Sequence, residues 1–418
     1  MNRVVVTGLG FVSSIGNDRA AVLDSLQEGR SGIEFLPELA AVNDRVKLAG
    51  IPKGFEFPTP DPLDWTFPPQ VQFSRTQMRT LVPNVAYATM AMEEAISDAK
   101  LDPSHVSGPE TGLYCASAGS PWMTQVAMNS VITRGPARTS APVVIAGMPN
   151  SLHLNLTARF AIKGASLGFN SACASSSHAL GHACDMIRLG RQKIMFVVGA
   201  EDCHLHSILP FASLRALSAQ SDPALAPRPF DVSRDGFITT GGGAVLVLED
   251  AEHAAARGAT VYAEVKGWGQ ASDGYDVVAP DPTGSGLARA MTNALEDASL
   301  AADDIDYINA HGTATNAGDL AELNALKTVF TGDKRPKVSS TKALTGHGLC
   351  LAGALEAGIC CLALREGFMP ISAKIQELDP ACEGVSILTS RCDEAPRIAM
   401  SNSSGFGGSS VALIFSRI

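Results

Sequence analysis

The cysteine at position 173 stands among small residues in the segment 169–180, FNSACASSSHAL, directly before a run with helical spacing. The peptide dipoles at the start of a helix favour a thiolate, and the thiolate is the nucleophilic form of cysteine. The alanine and serine neighbours leave room for a substrate to approach the sulfur. Cys173 is therefore a candidate nucleophile; the alternative is a buried thiol that packs as a small hydrophobic side chain.

A histidine follows an apolar run in the segment 307–322, YINAHGTATNAGDLAE, where His311 directly precedes a glycine. An imidazole at the end of a strand can point into a cleft and act on a bound substrate. Helical spacing then places Asp319 and Glu322 on one face of the next helix. A loop histidine held by backbone hydrogen bonds is the alternative interpretation.

A lysine and a second histidine flank a Thr-Gly turn in the segment 338–357, VSSTKALTGHGLCLAGALEA. Lys342 stands in an otherwise uncharged stretch, which predicts that it has a partner or a chemical task. Glu356, among apolar neighbours in the following helix, is the candidate partner. His347 would then belong to the same site, unless the ion pair only orders the loop.

Glycines cluster in the segment 400–410, MSNSSGFGGSS, before the last apolar run. Such a turn can bring backbone N–H groups close to a ligand oxygen, and Phe406 between glycines indicates a movable side chain. The run 164–168, GASLG, matches the GxSxG elbow of serine hydrolases around Ser166. That elbow needs a helix directly after the serine, whereas the helical signal here begins only after Cys173. A hydrolase using Ser166 is therefore kept only as an alternative to be tested.

Composition excludes several function classes. The chain has 418 residues, a net charge of −10 and nine cysteines without a CxxC pair. The acidic balance argues against a nucleic-acid partner, and the cysteine pattern argues against a structural zinc site and for reduced thiols in the cytoplasm. The most apolar later stretch, 349–364, is shorter than a bilayer span and carries Glu356, so no membrane span is expected.

Strand-like and helix-like runs alternate along the chain, which predicts a layered α/β fold. The strand-like runs lack polar alternation, as in strands covered on both faces. Small-residue helices follow both Cys173 and His347, which indicates two related halves, divided here into residues 1–255 and 256–418. The predicted strands are 3–6, 194–198, 244–248 and 411–415, and the predicted helices are 85–99, 176–189 and 286–298; 55–70 and 279–286 are predicted surface loops.

Together these segments resemble the β-ketoacyl-[acyl-carrier-protein] synthases, the condensing enzymes of bacterial fatty acid and related polyketide synthesis. The resemblance runs from VVVTGLGFVSSIG at the start, through RPFDVSRDGF and GGGAVLVLE, to SNSSGFGGSSVALIF at the end. It implies a thiolase-type five-layer α-β-α-β-α fold, and a homodimer or a heterodimer with a related ketosynthase-like subunit. It also implies an acyl carrier protein as partner, whose phosphopantetheine carries the substrates, with no metal and no cofactor.

The resemblance also implies roles for individual residues. Cys173 would be the acylated nucleophile, with His311, His347 and Lys342 as its catalytic partners. The residues with supporting roles would be Glu356, Phe406, Asp319 and Glu322. Thr313 and Thr315 would contact the pantetheine arm. The patch that binds the carrier protein would consist of Arg75, Arg79, Arg134, Arg138 and Arg215. The activity would be a decarboxylative condensation that lengthens a Cys-bound acyl chain by two carbons.

Two departures from the family pattern concern the acyl pocket. GLCLAG follows the TGH motif where the family has small residues, so Cys350 and Leu351 add volume near His347. Trp122 and Met123 fall where similar enzymes line the pocket or the dimer interface. These changes predict a specialised chain, polyene or aryl-primed, with housekeeping fatty acid elongation as the alternative. A non-catalytic chain-length-factor-like subunit is a further alternative, against which the intact catalytic set argues.

Overall fold

Runs dense in valine, isoleucine and leucine form the central strands because both of their faces are covered. A computed structural model of the chain describes residues 1–418. The strands are β1 (Val4–Val12), β2 (Ile33–Phe35), β3 (Leu48–Gly50), β4 (Thr111–Ala116), β5 (Ser166–Phe169), β6 (Ile194–Glu201), β7 (Gly242–Asp250), β8 (Ala263–Ser272), β9 (Tyr307–Asn309), β10 (Lys337–Ser339), β11 (Ser386–Ile387), β12 (Ile398–Gly405) and β13 (Ser409–Ser416).

The α-helices range from single turns to four-turn helices that cover the sheet. They are α1 (Arg19–Glu28), α2 (Pro37–Val42), α3 (Arg75–Met78), α4 (Pro83–Asp98), α5 (Pro103–Val106), α6 (Pro121–Arg134), α7 (Ala141–Ala146), α8 (Ser151–Arg159), α9 (Ser175–Arg188), α10 (Leu205–Ser213), α11 (Ala251–Ala256), α12 (Ser285–Ala298), α13 (Asn316–Val329), α14 (Lys342–Thr345) and α15 (Ala352–Glu366). Each predicted strand and helix overlaps one of these elements, with Arg3, Ala99 and Leu189 falling one residue outside β1, α4 and α9.

The sheet topology repeats itself. The strand order is β11-β10-β9-β12-β13-β8-β1-β7-β6-β4-β5. Counted along the chain, β5-β4-β6-β7-β1 and β10-β9-β12-β13-β8 both read 3-2-4-5-1, with two parallel pairs followed by two antiparallel pairs. The two halves join where β1 pairs antiparallel with β8. The boundary predicted after residue 255 falls at α11, between the halves.

Helices fill the layers around the two halves of the sheet. The central helices α9 and α15 pack in the largest core, which contacts both halves. Outside them, α4 and α8 cover the first half, and α12 and α13 cover the second. The central helices approach closely, since a Cβ on Gly353 would lie 2.1 Å from Ser177 Oγ. The fold is thus a five-layer α-β-α-β-α arrangement of two similar halves.

The predicted surface loop at 55–70 is more ordered than its Pro- and Gly-rich composition indicated. Phe55 and Trp65 are buried, and the Phe55 ring contacts Tyr87 edge-on with centroids 4.8 Å apart. Trp65 also stacks near Trp122, with centroids 6.3 Å apart. Burying large aromatic rings stabilises the segment against the first half of the sheet. No helix of the structure has the length and apolarity needed to cross a membrane.

Candidate active site

Cys173 lies in the turn between β5 and α9 and is 8% exposed. The residue before it, Ala172, has a φ of 50°, an uncommon conformation for a residue with a Cβ. The final glycine loop packs on this turn, since a Cβ on Gly405 would lie 2.7 Å from Ser171 O and 3.1 Å from Cys173 N. The thiol is therefore held at the start of the central helix α9, as the small-residue segment indicated.

His347 is held beside the thiol by the turn that leads to the second central helix. Its backbone N–H donates to Ile238 O at 2.7 Å, and its ring Nε2 lies 3.0 Å from Cys173 Sγ. The Phe237 ring meets the imidazole edge-on, with centroids 5.2 Å apart. This spacing allows a proton to pass between the sulfur and the imidazole.

His311 follows strand β9 and faces the same space. Its ring centroid lies 5.3 Å from that of His347, and the two rings are nearly perpendicular at 87°. The backbone N–H groups of His311 and Gly312 donate to the Glu322 carboxylate at 2.9 and 2.7 Å. Asp319 accepts the Ala314 N–H at 3.0 Å. The two carboxylates on one face of α13 thus hold the loop that carries the imidazole.

Lys342 is 1% exposed, and its ammonium donates to Glu356 Oε1. Glu356, on the central helix α15, is 2% exposed. A buried charge is costly without its partner, so each of these two groups requires the other. Lys342 lies close enough to both histidines to lower their pKa.

Burial sets the protonation states in the site. Burial, with Lys342 as the second cause, lowers the pKa of His347 well below its usual value, so the ring is neutral at pH 7. The pKa of His311 is lowered well below its usual value by the same causes and by His347. Burial raises the pKa of Cys173 to about 12, and Lys342 offsets only part of this effect. Burial of the thiol therefore opposes the thiolate that the helix N-terminus would favour.

A cavity of about 400 Å³ leads from the surface to Cys173 and both histidines. Thr313, Thr315, Arg215 and Phe406 also line it. The predicted loop 279–286 contributes to its wall rather than standing apart on the surface. Two lining residues, Phe211 and Phe237, were not predicted from the sequence. The glycine beside Phe237 in RDGF was the available signal that this aromatic ring lies next to a turn at the site. The Phe211 ring lies 6.4 Å from that of Phe406.

The residues predicted for the acyl pocket lie outside the lining of this cavity. Trp122 is buried and stacks on His204 with centroids 4.1 Å apart, and Met123 belongs to the core under α4. Cys350 accepts a hydrogen bond from Ser175 Oγ at 3.5 Å, and Leu351 lies in the central core. Their role in chain selection stays a prediction.

A buried acid next to Cys350 was missed from the sequence. Glu201, at the end of β6, accepts the Ala118 N–H at 3.3 Å, and burial raises its pKa to about 8. The sequence signal was a carboxylate that ends a continuous apolar run. Glu201 also contributes to the raised pKa of Cys173, so it lies in the electrostatic neighbourhood of the thiol.

The predicted arginine patch is spread over several elements. Arg75 and Arg79 lie on and directly after α3, Arg134 ends α6, and Arg138 ends the following turn. All are exposed, as is Arg215, which alone among them lines the cavity. Within one chain the arginines therefore do not form a single contact cluster around the cavity.

Ser166 does not form a nucleophile elbow. It begins strand β5 instead of following a strand, and no helix comes directly after it. Its hydroxyl is hydrogen-bonded to His153 Nε2 at 2.7 Å and to Thr157 Oγ1 at 3.0 Å. Ser166 does not line the cavity that holds Cys173. The geometry therefore gives the hydrolase alternative no support.

Comparison with known proteins places the chain in a family. The N-terminal domain model of β-ketoacyl synthases matches residues 1–254, and the C-terminal domain model matches residues 262–376. The 3-oxoacyl-[acyl-carrier-protein] synthase 1 of Haemophilus influenzae is 42% identical over 100% of this chain and 99% of its own.

Two solved structures are similar along the whole chain. A β-ketoacyl synthase from Burkholderia phymatum has a TM-score of 0.90 and 35% identity, with 100% of each chain covered. A type II polyketide ketosynthase, in complex with its acyl-carrier protein and bound to the hexaketide, has a TM-score of 0.88 and 27% identity over 100% of this chain and 99% of that one. With its site geometry, these matches show that the chain belongs to the β-ketoacyl synthase family and is a condensing acyltransferase of the kind that serves fatty acid synthesis.

Proposed function

We propose that the enzyme accepts an acyl chain on Cys173 and condenses it with malonyl-carrier protein to give a 3-oxoacyl-carrier protein two carbons longer. The observation that carries this proposal is the 3.0 Å contact between Cys173 Sγ and His347 Nε2, with His311 facing the same cavity. A nucleophile beside a proton acceptor is the arrangement that acyl transfer needs. Two neutral imidazoles can stabilise an enolate by donating hydrogen bonds to its oxygen.

In the first half-reaction, the sulfur of Cys173 attacks the thioester carbonyl and passes its proton to His347. The tetrahedral intermediate collapses, the carbon–sulfur bond to the carrier arm breaks, and the proton goes to the departing thiolate. The backbone N–H groups of Cys173 and Phe406 are the proposed donors to the oxyanion, and the close packing of Gly405 on the cysteine turn supports this assignment.

In the second half-reaction, malonyl-carrier protein loses CO2, and the electron pair of the broken C–C bond forms an enolate on the thioester oxygen. His311 and His347 are the proposed hydrogen-bond donors to that oxygen. Each neutral ring carries one N–H; His347 carries it on Nδ1 when Nε2 accepts the thiol proton and on Nε2 when it donates to the enolate. A donor aimed at developing charge lowers the barrier by a few kcal/mol. The enolate carbon then attacks the Cys173 thioester, and Cys173 leaves as the thiolate, which takes a proton from water. All reacting atoms come from the two carrier-bound substrates, from Cys173 and from water, so we propose no cofactor.

The proposed partner is an acyl carrier protein, as in the ketosynthase complex described above. Arg215 at the cavity mouth supports an acidic partner, although the chain itself carries a net charge of −10. A local basic group can steer an acidic partner against the overall charge. Thr313 and Thr315 line the cavity between this entrance and the histidines, where the pantetheine arm would lie.

We also propose that the chain acts as a dimer. Strand β5 forms the edge of the sheet and pairs only with β4. Leu167 on β5 is 50% exposed, and on helix α6 Met128 and Ile132 are 55% and 73% exposed. An unpaired edge and exposed apolar side chains favour pairing with a second chain, either a copy or a related subunit. Light scattering of the protein and of Leu167→Lys, which places a charge at the exposed apolar position, tests this.

For the acyl chain, we propose a specialised polyene or aryl-primed substrate. The support is Cys350, buried against Ser175 two residues from the nucleophile, together with the likeness to a ketosynthase that was solved with a hexaketide. Added volume near a packed site excludes some chains and costs about 1–3 kcal/mol for those that clash. Housekeeping elongation is the second candidate, supported by the 42% identical synthase of Haemophilus influenzae.

Competition between carrier-bound substrates separates the two candidates. Purified enzyme receives saturated acyl-carrier proteins of six to fourteen carbons alongside polyenoyl and aryl-primed ones. If the enzyme serves a specialised chain, it should elongate the saturated substrates slowly, and Cys350→Ala should elongate them faster than wild type does. Cys361→Ala is the matched control, because Cys361 is also buried but lies in the core of α15. Fast elongation of every saturated chain would instead establish the housekeeping role.

A further inference from the structure

Three metal-ligating side chains meet at the inner end of the cavity. The ligand atoms of Cys173, His311 and His347 all lie within 4.8 Å of one another. The thiol sulfur and His347 Nε2 are 3.0 Å apart. A tetrahedral zinc ion, with bonds of about 2.3 Å to sulfur and about 2.0 Å to nitrogen, holds such atoms roughly 3.5 Å apart. Small side-chain rotations therefore suffice to convert the observed spacing into a coordination site.

The donor set selects the kind of metal. One thiolate and two imidazoles suit Zn²⁺, whereas Mg²⁺ and Ca²⁺ require oxygen ligands. The cavity leaves the fourth tetrahedral position open to water. We propose that Cys173, His311 and His347 bind one Zn²⁺ ion reversibly and that the zinc-bound enzyme is inactive. The inactivity rests on the proposed role of Cys173 as nucleophile, whereas the binding does not.

The surroundings permit a cation but do not make the site tight. The nearby ammonium of Lys342 is paired with Glu356, which limits its repulsion of a metal ion. Nδ1 of both histidines has no hydrogen-bond partner. Resident zinc sites usually fix that nitrogen with a carboxylate or carbonyl, and losing such a partner costs 10–100-fold in affinity. The missing partners therefore favour reversible occupancy over a permanent zinc centre.

Binding and acylation exclude each other. Zinc binding forms one Zn–S and two Zn–N bonds and displaces water ligands from the hydrated ion. It also breaks the S–H bond of Cys173 and releases that proton to water, with no oxidation or reduction. The sulfur lone pair that would attack a thioester is then engaged by the metal. Conversely, a Cys173 thioester carries its acyl group on the sulfur and offers no thiolate to the ion.

The test measures metal directly. Metal-free enzyme is dialysed against ZnCl2 and assayed for bound zinc, and Co²⁺ is added separately to detect the charge-transfer absorption of a cobalt–thiolate bond. The same measurements are made on Cys173→Ser, on His311→Asn, and on wild-type protein whose Cys173 has been alkylated with iodoacetamide. The alkylated wild type removes the sulfur ligand without any substitution that can disturb folding. The control is the double variant His204→Asn/His206→Asn, because these two ring nitrogens also lie 3.0 Å apart but belong to no group of three ligands.

The expected result is one zinc per chain and a cobalt–thiolate band in wild type and in the double variant. We expect affinity to fall by about 100-fold or more in Cys173→Ser, His311→Asn and the alkylated protein, because these remove a direct ligand. Zinc should also block iodoacetamide, and a chelator should restore both labelling and condensation. The proposal is overturned by any of three results. These are less than one zinc per wild-type chain, equal zinc binding by the alkylated protein, and loss of zinc binding only in the His204/His206 variant. Condensation assayed without metal is a separate readout, so the proposed function can stand if zinc binding fails.

Discussion

Removal of His347 tests how the buried thiol becomes a nucleophile. Because the pKa of Cys173 is about 12, five units above pH 7, only about one molecule in 10⁵ carries a free thiolate there. This corresponds to an uphill step of about 7 kcal/mol. His347 Nε2, 3.0 Å from the sulfur, can take the proton during attack and avoid that step. General-base catalysis of this kind contributes about 10²–10⁴-fold.

We therefore expect His347→Asn to lower the rate of Cys173 alkylation at pH 7 by about 10²–10⁴-fold. The variant must react through the free thiolate, so its rate should rise about tenfold for each pH unit between pH 6 and pH 9. Wild type should respond less steeply to pH, because neutral His347 accepts the proton throughout this range. The rate of the variant should rise with pH, and not fall, because more of the high-pKa thiol is ionised as pH rises.

Alkylation is followed with iodoacetamide by mass spectrometry of the peptide that contains Cys173, with Cys173→Ser as the background. The matched control is His153→Asn, because His153 is bonded to Ser166 and lies outside the cavity. The control should react like wild type. If His347→Asn kept a rate close to wild type that did not change with pH, the thiolate would form without the imidazole. The helix N-terminus would then be the activating feature, and burial would not keep the thiol protonated.

Three further predictions concern the groups around the cavity. Lys342→Ala should lower the free energy of unfolding by about 3–5 kcal/mol, because Glu356 is left buried without a partner; urea denaturation measures this, and an unchanged midpoint would contradict it. Glu322→Gln should slow CO2 release from malonyl-carrier protein about 10–100-fold, because it removes the carboxylate that holds the His311 loop; a normal rate would assign that loop's position to other contacts. Arg215→Glu should raise the KM for carrier-protein substrates roughly fivefold while small pantetheine thioesters react normally; an equal effect on both would place Arg215 in the chemistry instead of in docking.

The long elements were predictable because their signals are local. Continuous apolar runs predicted β6 and β7, and helical spacing predicted α9 and α12 nearly to their ends. The order of the motifs around Cys173, His311 and His347 was enough to predict the family. The segment 55–70 lies at the surface as predicted, but proline and glycine mark turns and do not reveal that Phe55 and Trp65 pack on Tyr87 and Trp122.

By itself, the sequence determined which residue types were available for chemistry and which helix each would precede. Tertiary structure decided their protonation, because burial is a property of the packed layers and not of neighbours in the chain. Cys173, predicted to be activated by its helix, is a desolvated thiol whose pKa is raised by burial, and His347 lies beside it. The distance that makes this possible joins residues 174 positions apart. It exists because the repeated sheet topology brings the N-terminal ends of α9 and α15 together at the centre of the molecule.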